Sequence, residues 1–310
     1  MKGSAAEYRE RLGTSFSDGW TRFWFAPGSA WTLGVVRTTT AVAVALALAA
    51  YWPDVERWFA PQGMIPRDFI RDLYPSQWSP LDRLSPGAVR VVLVIAVAAS
   101  ALWALGLGGR GMAVATWIFA ASFFHRTPLT NGPFEAVALP LLAYLCIGRA
   151  AEGWAPASRL FGGGGGGGGA PPLAASNTIA VRLIQIHVAL IHAMMAVAQL
   201  SAEGNVWLSG EGMWLAASQA EIAWLDFSWL ASRPRLAAAW SHAITLYLIA
   251  LPLFAWRRLL APVMVAAAAV AWLSIAAATG QGLFALATWG ATWAFLGPAE
   301  QRVGAAAGGP

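Results

Sequence analysis

Long apolar runs broken by short polar segments recur along nearly the whole sequence, and that alternation most restricts what the chain can fold into. A hydrocarbon layer about 30 Å thick takes roughly 20 residues of helix to cross. Eight stretches approach that length: Leu33 to Tyr51, Ala88 to Leu107, Met112 to Phe124 extended by its flanks, Phe134 to Gly148, Thr178 to Leu200, Leu236 to Ala255, Leu259 to Thr279 and Gly282 to Leu296. Inside lipid every backbone amide must find its partner within the protein, which leaves helices or closed barrels. Runs of alanine and leucine without period-2 alternation choose helices. The expectation is therefore an all-α, polytopic transmembrane helix bundle of about eight spans. Composition agrees: 58% of residues are hydrophobic and only 11% charged, against the quarter-charged balance usual for soluble domains.

The net charge of +5 is spread over most loops instead of lining one stripe, so nucleic acid is not an expected partner. With the amino terminus inside, the cytoplasmic segments hold ten bases and five acids, and the outer segments eight bases and ten acids. That balance favours a multi-pass cell-membrane protein with both termini cytoplasmic. About thirty mixed residues precede the first apolar run, which argues against a cleaved leader. Cys146, the single cysteine, lies inside a span and reads as packing.

The chain divides into five parts. Residues 1–32 form an amphipathic segment expected on the inner surface, ending in Trp20, Phe23, Trp24 and Phe25. Residues 33–150 hold the first four spans. A Gly- and Pro-rich linker, 151–177, contains the glycine run 162–169 and sets no preferred backbone shape. Residues 178–297 hold four more spans and a Trp-rich outer segment, 201–235, that reads as an interfacial or re-entrant piece over the bundle's outer mouth. A disordered tail, 298–310, follows. The outer loop after Trp52 is long enough to carry a short helix near Arg67 to Leu73.

The fifth span is the most informative. Gln185, His192 and Gln199 are spaced by seven and seven. Two helical turns take about 7.2 residues, so the three share one face, with Arg182 a turn before Gln185. Polar groups on a membrane helix usually face the bundle interior or a wet cavity. They either hydrogen-bond neighbouring helices or line a ligand site, and the spacing does not choose. His187 points to the other side and reads as structural. Three further groups are expected near the outer mouth, His125, Arg126 and Asn131 in FFHRTPLTNGPFE, and His242 opens the sixth span. Such a set suits an anionic or quinone-like head group, although interface anchoring explains each residue singly. The soluble-enzyme phosphate, zinc and nucleophile motifs do not occur.

The order of an RxxT sequence in the first span (Arg37 to Thr40), HRTPLTNG after the third, RLIQIHVALIHAMMAVAQL with a following GEGMW, and a closing GQGLFALATWGATWAFL resembles the HTTM domain over roughly residues 20 to 300. That membrane region is shared by vitamin K-dependent γ-glutamyl carboxylases and many bacterial proteins. The resemblance implies a quinone as the one cofactor to consider, and a lysine base at the outer end of the fifth helix; here AVAQL places Gln199 there. An amide has no lone pair basic enough to act as general base. A family histidine before the last helix corresponds to Trp272 in AWLSIA, and the carboxylases continue into a large extramembrane domain where this sequence stops. Loss of glutamate carboxylation is the expectation.

Two function classes follow. One is an accessory, non-enzymatic membrane protein that binds a lipid or isoprenoid quinone in an outward-facing cavity near His192, Gln199 and His125. The other is a membrane enzyme acting on a quinone or peptide, with His192 or His125 as base. A peptide-export or toxin-maturation role would need a membrane or redox protein partner. A secondary transporter is least favoured, since no matched pair of broken helices appears in the two halves.

Overall fold

The structure, a computed structural model, describes residues 5–156, 173–219 and 221–297. The glycine run 162–169 and the tail 298–310 lie outside the described residues. Among those described, helices and their connections account for the fold, and the one β-bridge joins Gly28 to Ala174.

The elements run α1 (Ala5–Phe25), α2 (Trp31–Ala50), the short α3 (Val55–Phe59) and α4 (Arg67–Leu73), then α5 (Pro86–Ala104), α6 (Gly109–Arg126) and α7 (Pro133–Ile147). After the linker come α8 (Ala175–Leu200), the short α9 (Gly212–Ala217), α10 (Pro234–Phe254), α11 (Ala261–Thr279) and α12 (Gly282–Thr292), which tightens into a 3-10 turn over Trp293–Leu296. Local chemistry places several ends. Pro86, Pro133 and Pro234 sit in the first turns of their helices, where the missing N–H costs nothing. Ser85 Oγ accepts from the Ala88 N–H at 3.4 Å, a serine N-cap. Gly280, at φ +70°, ends α11 in the left-handed conformation that glycine adopts without penalty.

Five segments are long and apolar enough to cross a membrane: Trp31–Phe59, Pro86–Ala104, Ala175–Leu200, Pro234–Phe254 and Ala261–Thr279. Pro133–Ile147 and Gly282–Leu296 are apolar but shorter. Helix α6 carries Arg110, His125 and Arg126 at its ends and is not among the five.

The helices are apolar on both sides. Buried leucine, valine, alanine and phenylalanine side chains form one core cluster running from α2 to the final 3-10 turn. The outer faces are no more polar. Val91, Val94 and Ile95 on α5, Leu190, Met194 and Val197 on α8, Leu246 and Leu253 on α10, and Val263, Val270 and Leu273 on α11 are 48–72% exposed. Monomeric soluble proteins rarely expose contiguous apolar faces of this extent, so these stripes are the surface a bilayer would solvate.

The two groups of helices on either side of the linker interlock. Helix α2 packs against α5, α6 and α7 of its own group and against α8 and α12 of the other. At Gly290 of α12 a Cβ would lie 2.0 Å from Thr39 Oγ1 and 2.5 Å from Thr39 Cβ, so glycine leaves the room that the Thr39 side chain of α2 occupies.

Candidate functional site

The polar stripe of α8 is a seam between helices. Gln185 is 3% and His192 0% exposed. Gln185 Nε2 donates to the Ala294 carbonyl at 2.8 Å in the final turn, and its Oε1 accepts from Arg182 Nη1 at 2.9 Å. Arg182 in turn donates from Nε to the Phe23 carbonyl and lies 4.3 Å over the Phe23 ring, joining α8 to α1. Both nitrogens of His192 are engaged. Nδ1 is 2.8 Å from the Val188 carbonyl and Nε2 3.0 Å from the Tyr247 hydroxyl. A carbonyl only accepts, so Nδ1 carries the proton, and in the neutral tautomer Nε2 accepts from the phenol. The imidazole is thus held at both nitrogens, with Tyr247 and Trp272 edge-on to it at ring distances of 5.5 Å. About two turns further along α8, half-buried Gln199 accepts from Thr245 Oγ1 of α10 at 2.8 Å. His187, on the other side of α8, meets Tyr144 of α7 edge-on.

The residues of the α6–α7 connection serve a different part of the molecule. Arg126 is 1% exposed. It donates from Nη2 to the carbonyls of Ala60 and Ile65, at 2.8 and 3.0 Å, and its Nε is 3.2 Å from Asp82 Oδ1. It therefore fastens the loop between α3 and α5 to the end of α6. Asn131 Nδ2 donates to the Phe124 carbonyl at 2.9 Å, closing the C-terminus of α6, and His125 is exposed. Expected to share a mouth with His192 and Gln199, these three instead engage or flank the loop and the helix end from which they arise. Asn131, close to the helix terminus, finds one of its unpaired carbonyls, and Arg126 finds those of the neighbouring loop.

The segment after α8 forms a cover over one end of the bundle. Ser241 on α10 accepts from the Met213 N–H at 2.9 Å and donates to the Gly210 carbonyl at 2.8 Å. The N–H of Trp224 donates to the Ala277 carbonyl at 2.8 Å, and a Cβ on Gly280 would meet the Ile222 carbonyl oxygen at 2.2 Å. The cover is thereby tied to α10, to α11 and to the α11–α12 turn. His242 is exposed beside Gly210.

Within the cover lies a pocket of about 220 Å³ lined by Trp214, Ala217, Ser218, Asp226, Phe227, Ser228 and Ala231. Phe227 is backed by Trp240 at a ring distance of 5.1 Å. Asp226 accepts from the Ser228 N–H at 2.8 Å and from Ser228 Oγ at 3.0 Å. Those two bonds hold its carboxyl below the ordinary value of 3.8, so it is ionised at neutral pH. All of the lining residues fall within the Trp-rich outer segment 201–235, and nothing in the sequence marks any of them singly.

Two buried polar residues were not among the sequence candidates. Tyr247 supplies the donor to His192, and a tyrosine within an apolar run gives no periodic signal. Arg37, 0% exposed on α2, donates to the carbonyls of Ala150 at 3.0 Å, Trp154 at 2.9 Å and Ala104 at 3.4 Å. A cation inside an apolar span was the available signal. No family model, curated protein or solved structure matches the chain.

Proposed function

We propose that this chain is a multi-pass membrane protein of the HTTM type, crossing the bilayer eight times with both termini cytoplasmic. In this reading it binds an amphiphile, a lipid or quinone-like molecule, at its outer face without catalysing a reaction on it. The observation that carries the binding role is the pocket inside the cover, walled by Trp214 and Phe227 and edged by Asp226. Aromatic rings with a polar rim are what an amphiphile's junction of chain and head group requires.

Three features support the rest of the reading. The exposed apolar stripes on α5, α8, α10 and α11 suit acyl chains. The 15-residue segments Pro133–Ile147 and Gly282–Leu296 span only about 22 Å as helix. Helix α7 packs against α2, α6, α8 and α12, and α12 against α2, α7, α8 and α11, so protein shields their ends and a shortfall in length is tolerable. Against an enzyme based on His192, its lone pair is occupied by Tyr247 and its ring is sealed from solvent. Gln199, paired with Thr245, fits a structural or orienting role and not that of a base.

Two measurements test this. Cysteines introduced at Ser209 and at Arg257 in a Cys146→Ser background should label from opposite sides of the membrane; labelling from the same side rejects the eight-crossing topology. Lipids extracted from protein purified in mild detergent should be enriched in one class over the source membrane, and Trp214→Ala should abolish that enrichment. An unselective lipid profile, unchanged by Trp214→Ala, defeats the binding reading.

A further inference from the structure

Hydrogen-bond accounting in the cover pocket narrows the ligand. Ser218 Oγ gives its proton to the Leu215 carbonyl at 2.7 Å. Ser228 Oγ gives its proton to Asp226. Each hydroxyl has one proton to donate, so both turn only lone pairs to any further partner. Asp226, ionised, has only lone pairs to offer. Apart from the Trp214 indole N–H, the polar side chains lining the pocket are therefore acceptors, and one carries a full negative charge. The remaining walls are two aromatic rings and two alanines.

We infer that the pocket receives an ammonium head group, of the kind carried by phosphatidylethanolamine or phosphatidylcholine. The inference rests on the binding reading above and specifies its ligand. An ammonium presents a cation to the Trp214 and Phe227 rings and to the Asp226 carboxylate, the combination of groups by which aromatic sites hold choline-like cations. A quinone offers two carbonyl oxygens, both acceptors, to a lining poor in donors. An anionic head group would meet Asp226 directly. The charge around the site points the same way, because residues 201–235 hold Glu203, Glu211, Glu221 and Asp226 against Arg233 and Arg235. At about 220 Å³ the pocket is smaller than the roughly 300–1,000 Å³ of sites that enclose a whole drug-sized ligand. It fits a head group whose chains remain outside, along exposed Leu208, Leu215 and Leu225.

The test uses the full chain in detergent, incubated with equal amounts of phosphatidylethanolamine, phosphatidylglycerol and a short-chain ubiquinone, with retained molecules counted by native mass spectrometry. Wild-type protein should retain phosphatidylethanolamine about tenfold over phosphatidylglycerol, a ratio set by cation–π and ion-pair contacts. Asp226→Asn keeps the shape and the acceptor for the Ser228 N–H but removes the charge, and should bring that ratio to within about twofold. Asp226→Glu should restore most of it, which a variant that merely damaged the fold would not do. Displacement by choline chloride would point to a soluble amine as the source of the same chemistry; resistance to it would point to the lipid. Preferential retention of ubiquinone or phosphatidylglycerol, lost in Trp214→Ala, would overturn the ammonium assignment while leaving the amphiphile reading in place. Equal retention of all three by wild type and Trp214→Ala would overturn both.

Discussion

Removing the Tyr247 hydroxyl tests whether the buried histidine is a structural group or one held ready for chemistry. Tyr247→Phe deletes the donor 3.0 Å from His192 Nε2 and leaves the imidazole lone pair facing a fully buried environment. A hydrogen bond within a membrane bundle is worth about 0.6 kcal/mol on average and at most about 1.7. An orphaned buried acceptor adds a desolvation cost of about 1–3 kcal/mol when no relaxation relieves it. Since the ring is sealed between Tyr247 and Trp272, water cannot easily replace the phenol, and the expected loss is about 1–2 kcal/mol. His192→Leu removes the same bond and also the edge-on ring contacts, worth roughly 0.5–1.5 kcal/mol. The double variant leaves no orphan, so its cost should fall short of the sum of the singles by about 0.6–1.7 kcal/mol. Unfolding in mixed micelles with increasing sodium dodecyl sulfate, followed by circular dichroism, measures all four proteins. Additivity within about 0.3 kcal/mol would show that the pair contributes no coupling, and the argument that His192 is a satisfied structural group would fail.

Arg126→Met should destabilise by about 3–5 kcal/mol, the usual cost of leaving one half of a buried ion pair, and should expose the 60–66 loop to protease; adding Asp82→Asn should recover part of the loss, and unchanged proteolysis would refute the loop-fastening role. Selective lipid retention should be flat from pH 8 to pH 5 and decline only below the ordinary carboxylate range. The Ser228 bonds depress the Asp226 pKa, so the charged form persists until pH falls through that lowered value; a decline centred near pH 6–7 would show that Asp226 does not carry the selectivity. Gly290→Val forces a side chain into Thr39 and should cost about 1–3 kcal/mol as overpacking, read as a lower detergent melting temperature; no change would mean that α2 and α12 separate freely.

Much of the architecture was legible because lipid-solvated helices announce themselves by length and composition. The runs expected at Leu33, Ala88, Thr178, Leu236 and Leu259 coincide with the five segments long and apolar enough to cross, and the short helix expected near Arg67 is present as α4. How the helices on either side of the linker pack against each other was not legible. Their interlocking depends on Gly290 meeting Thr39, and a glycine inside an apolar run carries no label naming the helix it will touch. Helix α6 takes in the flanks of the Met112 to Phe124 run, as expected, and spans Gly109–Arg126; at its C-terminal end Arg126 finds carbonyls and Asp82 in the loop and need not leave the helix to reach a partner.

The candidate site was legible in inverse proportion to its dependence on loop geometry. Spacing alone put Gln185, His192 and Gln199 on one face, and burial of the first two follows from the cost of polar groups in lipid. What spacing could not supply was the partner: Tyr247 lies 55 residues from His192, and whether a bridging phenol or a ligand meets an imidazole leaves the same pattern in the sequence. The pocket lies at the far extreme. Its carboxylate is aimed by a two-residue turn from Asp226 to Ser228, its aromatic walls come from different ends of the cover, and its donors are spent on bonds that no periodicity encodes. The helices that identify the chain as a membrane protein are thus chemically interchangeable along much of their lipid-facing surface. An aperiodic cover, fixed to them at Ser241, Ala277 and Gly280, can hold a charge and two rings in a set relation that an apolar helix face has no means to provide.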